Sequence, residues 1–106
     1  MEDKIAIGGR EYRLGYNLRV RMIYEKLTGK GIGEDMLTFE NVVFLYAILV
    51  AFNKGFTMDI ETLTDALCED ESIYPAFLSW LVAYNRRREG LAGDGDDPGD
   101  GGKKKA

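Results

Sequence analysis

Three short stretches of the chain carry residue types that can bind phosphate, metal or protons. Thr28-Gly29-Lys30-Gly31-Ile32-Gly33 sets glycine N–H groups beside a lysine, the raw material of an anion cradle. Its spacing is wrong for either phosphate motif. A Walker loop needs Ser or Thr after its lysine, where Gly31 stands here, and no glycine or alanine completes a G-x-G-x-x-G pattern beyond Gly33. The segment reads as a glycine stop after a helix. Glu69-Asp70-Glu71 offers three carboxylates in a row, whereas a calcium loop alternates its oxygen ligands over about twelve residues. General acid/base work would need those groups in a cleft with partners that shift their pKa, so a solvated link between helices is the expectation. Arg86-Arg87-Arg88, with Arg19 and Arg21, is a basic set of the kind that grips nucleic acid. At a helix end, three cations satisfy the dipole and the last carbonyls without a ligand.

What the chain lacks narrows the chemistry further. It has no histidine, which excludes histidine-dependent triads and the commonest zinc ligand. The single cysteine, Cys68, cannot close an internal disulfide or build a Cys-rich cluster, and it is expected to be a small buried hydrophobe on a helix. A formal charge of −4 over 106 residues argues against phosphate backbones and anionic membranes as partners. No catalytic residue, cofactor-binding residue or metal ligand is assigned. The N-terminus, Met1-Glu2-Asp3-Lys4, has no cationic stretch followed by an apolar one, so no signal peptide is expected.

The elements that must position any site follow from hydrophobic spacing and caps. Lys4-Ile5-Ala6-Ile7 and Glu11 to Tyr16 flank Gly8-Gly9-Arg10, and a Gly-Gly pair supplies the positive φ of a tight hairpin turn. Tyr12, Leu14 and Tyr16 alternate onto one face, which must lie against helices because a two-stranded ribbon is marginal alone. Asn17 caps a first helix running to Gly29, with Leu18, Met22, Ile23 and Leu27 at helical spacing and Val20 and Tyr24 beside them. A loop follows to about Leu37. Thr38 caps a second helix, Phe39 to Lys54, with Gly55 just past its end; Thr57 caps a third, Met58 to Cys68. A fourth begins near Ser72, with Pro75 in its first turn, and ends at Gly90. Its face consists of Ile73, Phe77, Trp80, Leu81 and Tyr84.

Val42 to Phe52 is eleven consecutive hydrophobic residues. A helix with no polar face for about three turns is either the central core element or shared with another chain. The run falls short of the roughly 20 apolar residues that span a bilayer. The fold class is therefore α+β: residues 1–90 form one domain, an N-terminal β-hairpin packed on about four helices, and residues 91–106 form a flexible Gly/Asp/Lys tail, with no apolar side chain larger than alanine from Gly93 onward. More apolar helix than a domain of about 90 residues can hide implies a protein partner or self-association. Phe44, Ile48, Phe52, Trp80 and Tyr84 are the candidate partner-binding residues. A small helical DNA-binding regulator remains an alternative reading.

Ile5-Ala6-Ile7-Gly8-Gly9-Arg10-Glu11-Tyr12-Arg13-Leu14, then Asn17-Leu18-Arg19, Tyr24-Glu25-Lys26-Leu27-Thr28-Gly29-Lys30 and Phe56-Thr57-Met58-Asp59, together with the apolar helix between them, resembles the tail assembly chaperones of long-tailed bacteriophages and prophages. The likeness spans about residues 4 to 85, and none of its residues is a catalytic signature. It implies a cytoplasmic, non-catalytic protein absent from the finished particle, which binds the tape measure protein and tail-tube subunits; a head–tail connector or other minor virion component is the alternative, and the homo-oligomer is an expectation of the apolar surplus alone. That family also makes a longer product by ribosomal frameshifting. Gly101-Gly102-Lys103-Lys104-Lys105 is compatible with a slippery run of codons, and equally with an ordinary solubilising tail.

Overall fold

The computed structural model describes residues 3–33 and 35–93 of the chain. Strands β1 (Lys4–Ile7) and β2 (Arg10–Arg13) are followed by helices α1 (Leu18–Thr28), α2 (Thr38–Phe52), α3 (Ile60–Glu69) and α4 (Ile73–Gly93). This is the α+β arrangement expected, a hairpin and four helices. The strands are antiparallel, with Ile5 opposite Tyr12 and Ile7 opposite Arg10. Gly8 and Gly9, at φ 61° and 79°, make the turn that residues with a Cβ resist. Period-two alternation buries Ile5 and Ile7 and leaves Lys4 and Ala6 outside, while Leu14 is buried just past β2. The inward face is thus carried mainly by β1 and Leu14, with Tyr12 and Tyr16 only half-buried at its margin.

Helix α2 is the central element. Val43, Phe44, Leu45, Ala47, Ile48 and Leu49 are buried, Val42, Tyr46, Ala51 and Phe52 are half-buried, and Val50, at 38%, is the most exposed residue of the apolar run. The run is therefore spent on the domain's own core, enclosed by contributions from the hairpin and the other three helices. Its start is fixed by Glu40, whose carboxylate accepts the Leu37 N–H at 2.8 Å and pairs with Lys30 from across the α1–α2 loop. The helix opens at Thr38 and ends at Phe52, two residues short of Lys54.

Asn53 explains that early stop. Its amide accepts the Arg13 N–H at 2.8 Å, donates to the Arg13 carbonyl at 3.0 Å and donates to the Leu49 carbonyl at 3.1 Å. One side chain thereby pairs with the end of β2 as a neighbouring strand would and also closes the last turn of α2. Asn53→Ala is expected to lower stability by about 1–2 kcal/mol, because water can reach these partly exposed groups and replace some of the bonds. Urea unfolding of the variant measures this directly. Gly15, next to this junction, is close to the Phe52 ring: a Cβ there would stand 2.7 Å from it.

Helix α1 turns a different side inward from the one its spacing suggested. Val20 and Tyr24 are buried, whereas Leu18, Met22 and Leu27 are exposed. Leu18 and Val20 are two residues apart, about 200° around the axis, so apolar residues lie on both sides and periodicity alone does not choose between them. The ends are as expected: the Asn17 side chain accepts the Val20 N–H at 3.1 Å, and Gly29 adopts a left-handed conformation at φ 76°. The Tyr24 hydroxyl is enclosed with no hydrogen-bond partner among the described residues, and burial, with the Glu40 charge nearby, raises its pKa. Tyr24→Phe should therefore leave thermal stability unchanged or slightly raised, since it removes an unsatisfied buried group. A melting temperature lowered by several degrees would show that the hydroxyl is satisfied.

Helix α3 starts at Ile60, two residues later than expected. Asp59, not Thr57, is its cap: the carboxylate accepts the Thr62 N–H at 2.8 Å. A charged acceptor at a helix start gains from the dipole as well as the hydrogen bond. Leu63 and Leu67 face the core, and Thr64, placed in the inward stripe by spacing, is exposed and donates to the Ile60 carbonyl. Cys68 is exposed rather than buried. Of the acidic triplet, Asp70 makes the turn into α4, accepting from the Ser72 N–H at 3.1 Å and its hydroxyl at 2.6 Å. Helix α4 continues to Gly93, past the expected stop at Gly90, so residues 91–93 belong to it rather than to a tail. Residues 94–106, including the Gly101 to Lys105 run, lie outside the described residues.

Candidate functional site

The five residues expected to contact a partner do not share one surface. Ile48 is fully enclosed, and Phe44 and Trp80 are each only 5% exposed. Their rings hold the core together. Phe44 meets Tyr16, Tyr24 and Phe77 edge to face, with centroids 6.0–6.3 Å apart, and Trp80 stacks between Phe77 at 6.1 Å and Tyr84 at 5.0 Å. Phe52 is half-buried at the other end of α2, close to Gly15 and a shallow depression around Asn53 and Phe56. Tyr84 is half-buried. A contact face made of Phe44, Ile48 and Trp80 is thus not a surface of the folded domain, because all three side chains are packed into the core.

Three of the five nevertheless meet at one place. Phe44, Trp80 and Tyr84 line a cleft of about 340 Å³, together with Tyr16, Leu81 and, from the α1–α2 loop, Ile32 and Met36. Asn41, Asn85 and Arg88 supply its polar groups. Each side chain arrives for a local reason. On α4, Trp80, Leu81, Tyr84, Asn85 and Arg88 recur at the three- and four-residue spacing that forms one helix face. Asn41 and Phe44 are one turn apart on α2, and Tyr16 sits in the short link between β2 and the Asn17 cap. The floor is the buried Phe44 and Trp80; Tyr16, Leu81 and Tyr84 are half-exposed walls.

Charge at the cleft is arranged by Asp3 and two arginines. The Asp3 carboxylate accepts from Trp80 Nε1 at 2.7 Å and from Arg87 at 2.9 Å, fastening the entry to β1 onto α4. Those bonds, the Trp80 one foremost, hold its carboxyl below the ordinary range. Arg87 lies over the Tyr84 ring at 5.3 Å, and Arg88 lies over Tyr16 at 5.6 Å and Tyr84 at 5.9 Å. Because α4 runs on to Gly93, these arginines are not in its last turn, and capping the dipole does not account for them.

A pH dependence follows. Asp3, Glu40, Asp59 and Asp70 are all held below the usual carboxylate range, Asp3 chiefly by Trp80, Glu40 by Lys30, Asp59 by Thr62 and Asp70 by Ser72. The unfolded chain then binds more protons than the folded one in acid. The stability these groups provide is complete above the ordinary carboxylate pKa and is lost as the pH falls below about 4. The urea midpoint should hold between pH 7 and 5 and drop steeply between 4 and 3; an unchanged midpoint at pH 3 contradicts the assignment.

The cleft offers aromatic faces, amides and a guanidinium, groups that bind and orient but do not shuttle protons at neutral pH. Among the described residues no group of three or more Cys, Asp or Glu could hold a metal ion, and no helix is long and apolar enough to cross a membrane. Spacing had selected Phe44, Trp80 and Tyr84 as large aromatic residues but missed Tyr16 and Arg88. Only the packing of the β2–α1 link against α4 brings those two together. No family model, curated protein or solved structure matches this chain.

Proposed function

We propose that this protein is a tail assembly chaperone of a long-tailed bacteriophage or prophage, a non-catalytic holder of an apolar helical client. In the host cytoplasm it binds the tape measure protein, and tail-tube subunits as they arrive, and it is released before the particle is complete. The observation that carries the reading is the open, aromatic-floored cleft on a helical domain that also exposes Leu18, Met22, Leu37, Phe39 and Val82. Large apolar side chains left at a surface favour protein contact. The residues behind the family resemblance build the frame that presents them. Gly8 and Gly9 turn the hairpin, Asn17 and Gly29 bound α1, Tyr24 fills the core, Phe56 packs edge-on to Tyr12 and Tyr46, and Asp59 caps α3.

The test is quantitative mass spectrometry of infected or induced cells and of purified particles. The reading expects the chain in assembling lysates, associated with the tape measure protein, and absent from particles. A fixed copy number in washed particles would replace it with a head–tail connector or minor virion component.

A further inference from the structure

We infer that the cleft recognises a carboxylate set one helical turn from a large apolar side chain on a partner polypeptide, with Arg88 as the carboxylate receptor. The inference rests on the protein-binding reading above and specifies the chemistry of its partner. The apolar half of the recognition is the floor and walls formed by Phe44, Trp80, Tyr84 and Tyr16, at the small end of the size range of sites that enclose a ligand group. The polar half is Arg88. Its guanidinium rests on the Tyr16 and Tyr84 rings, and among the side chains the structure describes it has no carboxylate partner, whereas Arg87 beside it is paired with Asp3. A guanidinium already oriented by two aromatic faces loses little freedom on accepting a carboxylate. Among the residues whose side chains the structure describes, no Asp or Glu lines the cleft, although the chain as a whole is acidic.

Charge complementarity therefore calls for an acidic occupant, and the floor calls for an apolar one. The chain's own residues 94–106 contain four Asp but no aromatic residue, Leu, Ile, Val or Met, so they match only half of the site. A polypeptide bearing both groups on one helix face matches all of it.

Trp80, the only tryptophan, lies in the floor and reports occupancy by its emission. The test titrates the full chain with blocked helical peptides free of Trp and Tyr, carrying one Phe and one Glu placed three or four residues to either side of it. Matched Gln peptides and a Phe-to-Ala peptide complete the set. At least one Glu peptide is expected to shift Trp80 emission saturably and to bind about tenfold more tightly than its Gln twin. Arg88→Gln should lose that tenfold and abolish the preference, while keeping the wild-type circular dichroism and losing no more than a few degrees of melting temperature with its two ring contacts. The Phe-to-Ala peptide should not bind. Equal binding of all Glu and Gln pairs, no emission change with any peptide, or an undiminished Glu preference in Arg88→Gln would overturn the inference. So would an emission shift that tracks protein concentration and dimer formation in sedimentation, because a second copy would then fill the cleft. Peptide discrimination by a chain that does not retain the tape measure protein would remove the functional reading alone. Retention of that protein without peptide discrimination would remove this inference alone.

Discussion

Phe44→Ala is expected to lower the unfolding free energy by about 3–5 kcal/mol, the range for deleting a fully packed aromatic side chain. Phe44 is the meeting point of the core: its ring touches Tyr16 from the strand–helix link, Tyr24 from α1 and Phe77 from α4, while its own helix supplies the centre. Removing it leaves a void bordered by three rings that had met it edge to face, and backbone elements joined through several directions cannot all collapse inward. Domains of this size have about 5–15 kcal/mol in total, so the loss is at least about a fifth of the domain's stability. Urea unfolding followed by Trp80 emission measures the loss. A change under about 1 kcal/mol would place Phe44 outside the core.

Ile48→Asp should be more damaging still, and Leu18→Asp almost harmless. Ile48 is fully enclosed in the central helix, where a carboxylate finds no water and no cation, so the substitution costs several kcal/mol or forces the helix out of the core. Leu18 is 67% exposed at the first position of α1, where a negative charge is favoured by the dipole. The contrast separates structural from contact roles among residues of the same apolar type. Thermal melts of the two variants decide it: a folded Ile48→Asp, or an unfolded Leu18→Asp, would reverse the roles given to the two helices. The same reasoning applies to Trp80, whose ring is part of the core as well as the floor of the cleft, so binding variants belong at the half-exposed walls and at Arg88.

Local chemistry made most of the frame legible. The Gly8-Gly9 turn, the Asn17 cap, the Gly29 stop and the order of hairpin and helices each depend on residues within a few positions of one another, and spacing reports such features well. The extent of α2 as core was also implicit in eleven apolar residues without a polar face. Competition between equally good local signals was not legible. Thr57 and Asp59 both suit a cap, and the carboxylate prevails; Leu18-Met22 and Val20-Tyr24 are both apolar pairs at helical spacing, and only the second meets α2 and its neighbours.

Long-range fastenings were hidden for a different reason. Asn53 grips Arg13 forty residues away, and Asp3 reaches Trp80 and Arg87 across nearly the whole domain. Neither pairing leaves a trace in local periodicity. The cleft shares this property: Phe44, Trp80 and Tyr84 were identifiable as large aromatic residues, but Tyr16 and Arg88 become part of one site only when the strand–helix link lies against α4. The arginines looked like helix-end charges because α4 was expected to stop at Gly90, and its extension to Gly93 leaves Arg88 available for recognition.

The proposal that the cleft holds an apolar helical client is tested most directly by co-expressing the chain with its proposed client, a tape measure protein encoded in the same genome, and measuring how much of the latter stays in the supernatant. Leu81→Asp puts a charge into a half-exposed wall of the cleft and should not unfold the domain, which circular dichroism verifies. Wild type is predicted to keep the tape measure protein soluble and Leu81→Asp to release it to the pellet. Equal soluble amounts with wild type, with Leu81→Asp and with no chain at all would contradict the account.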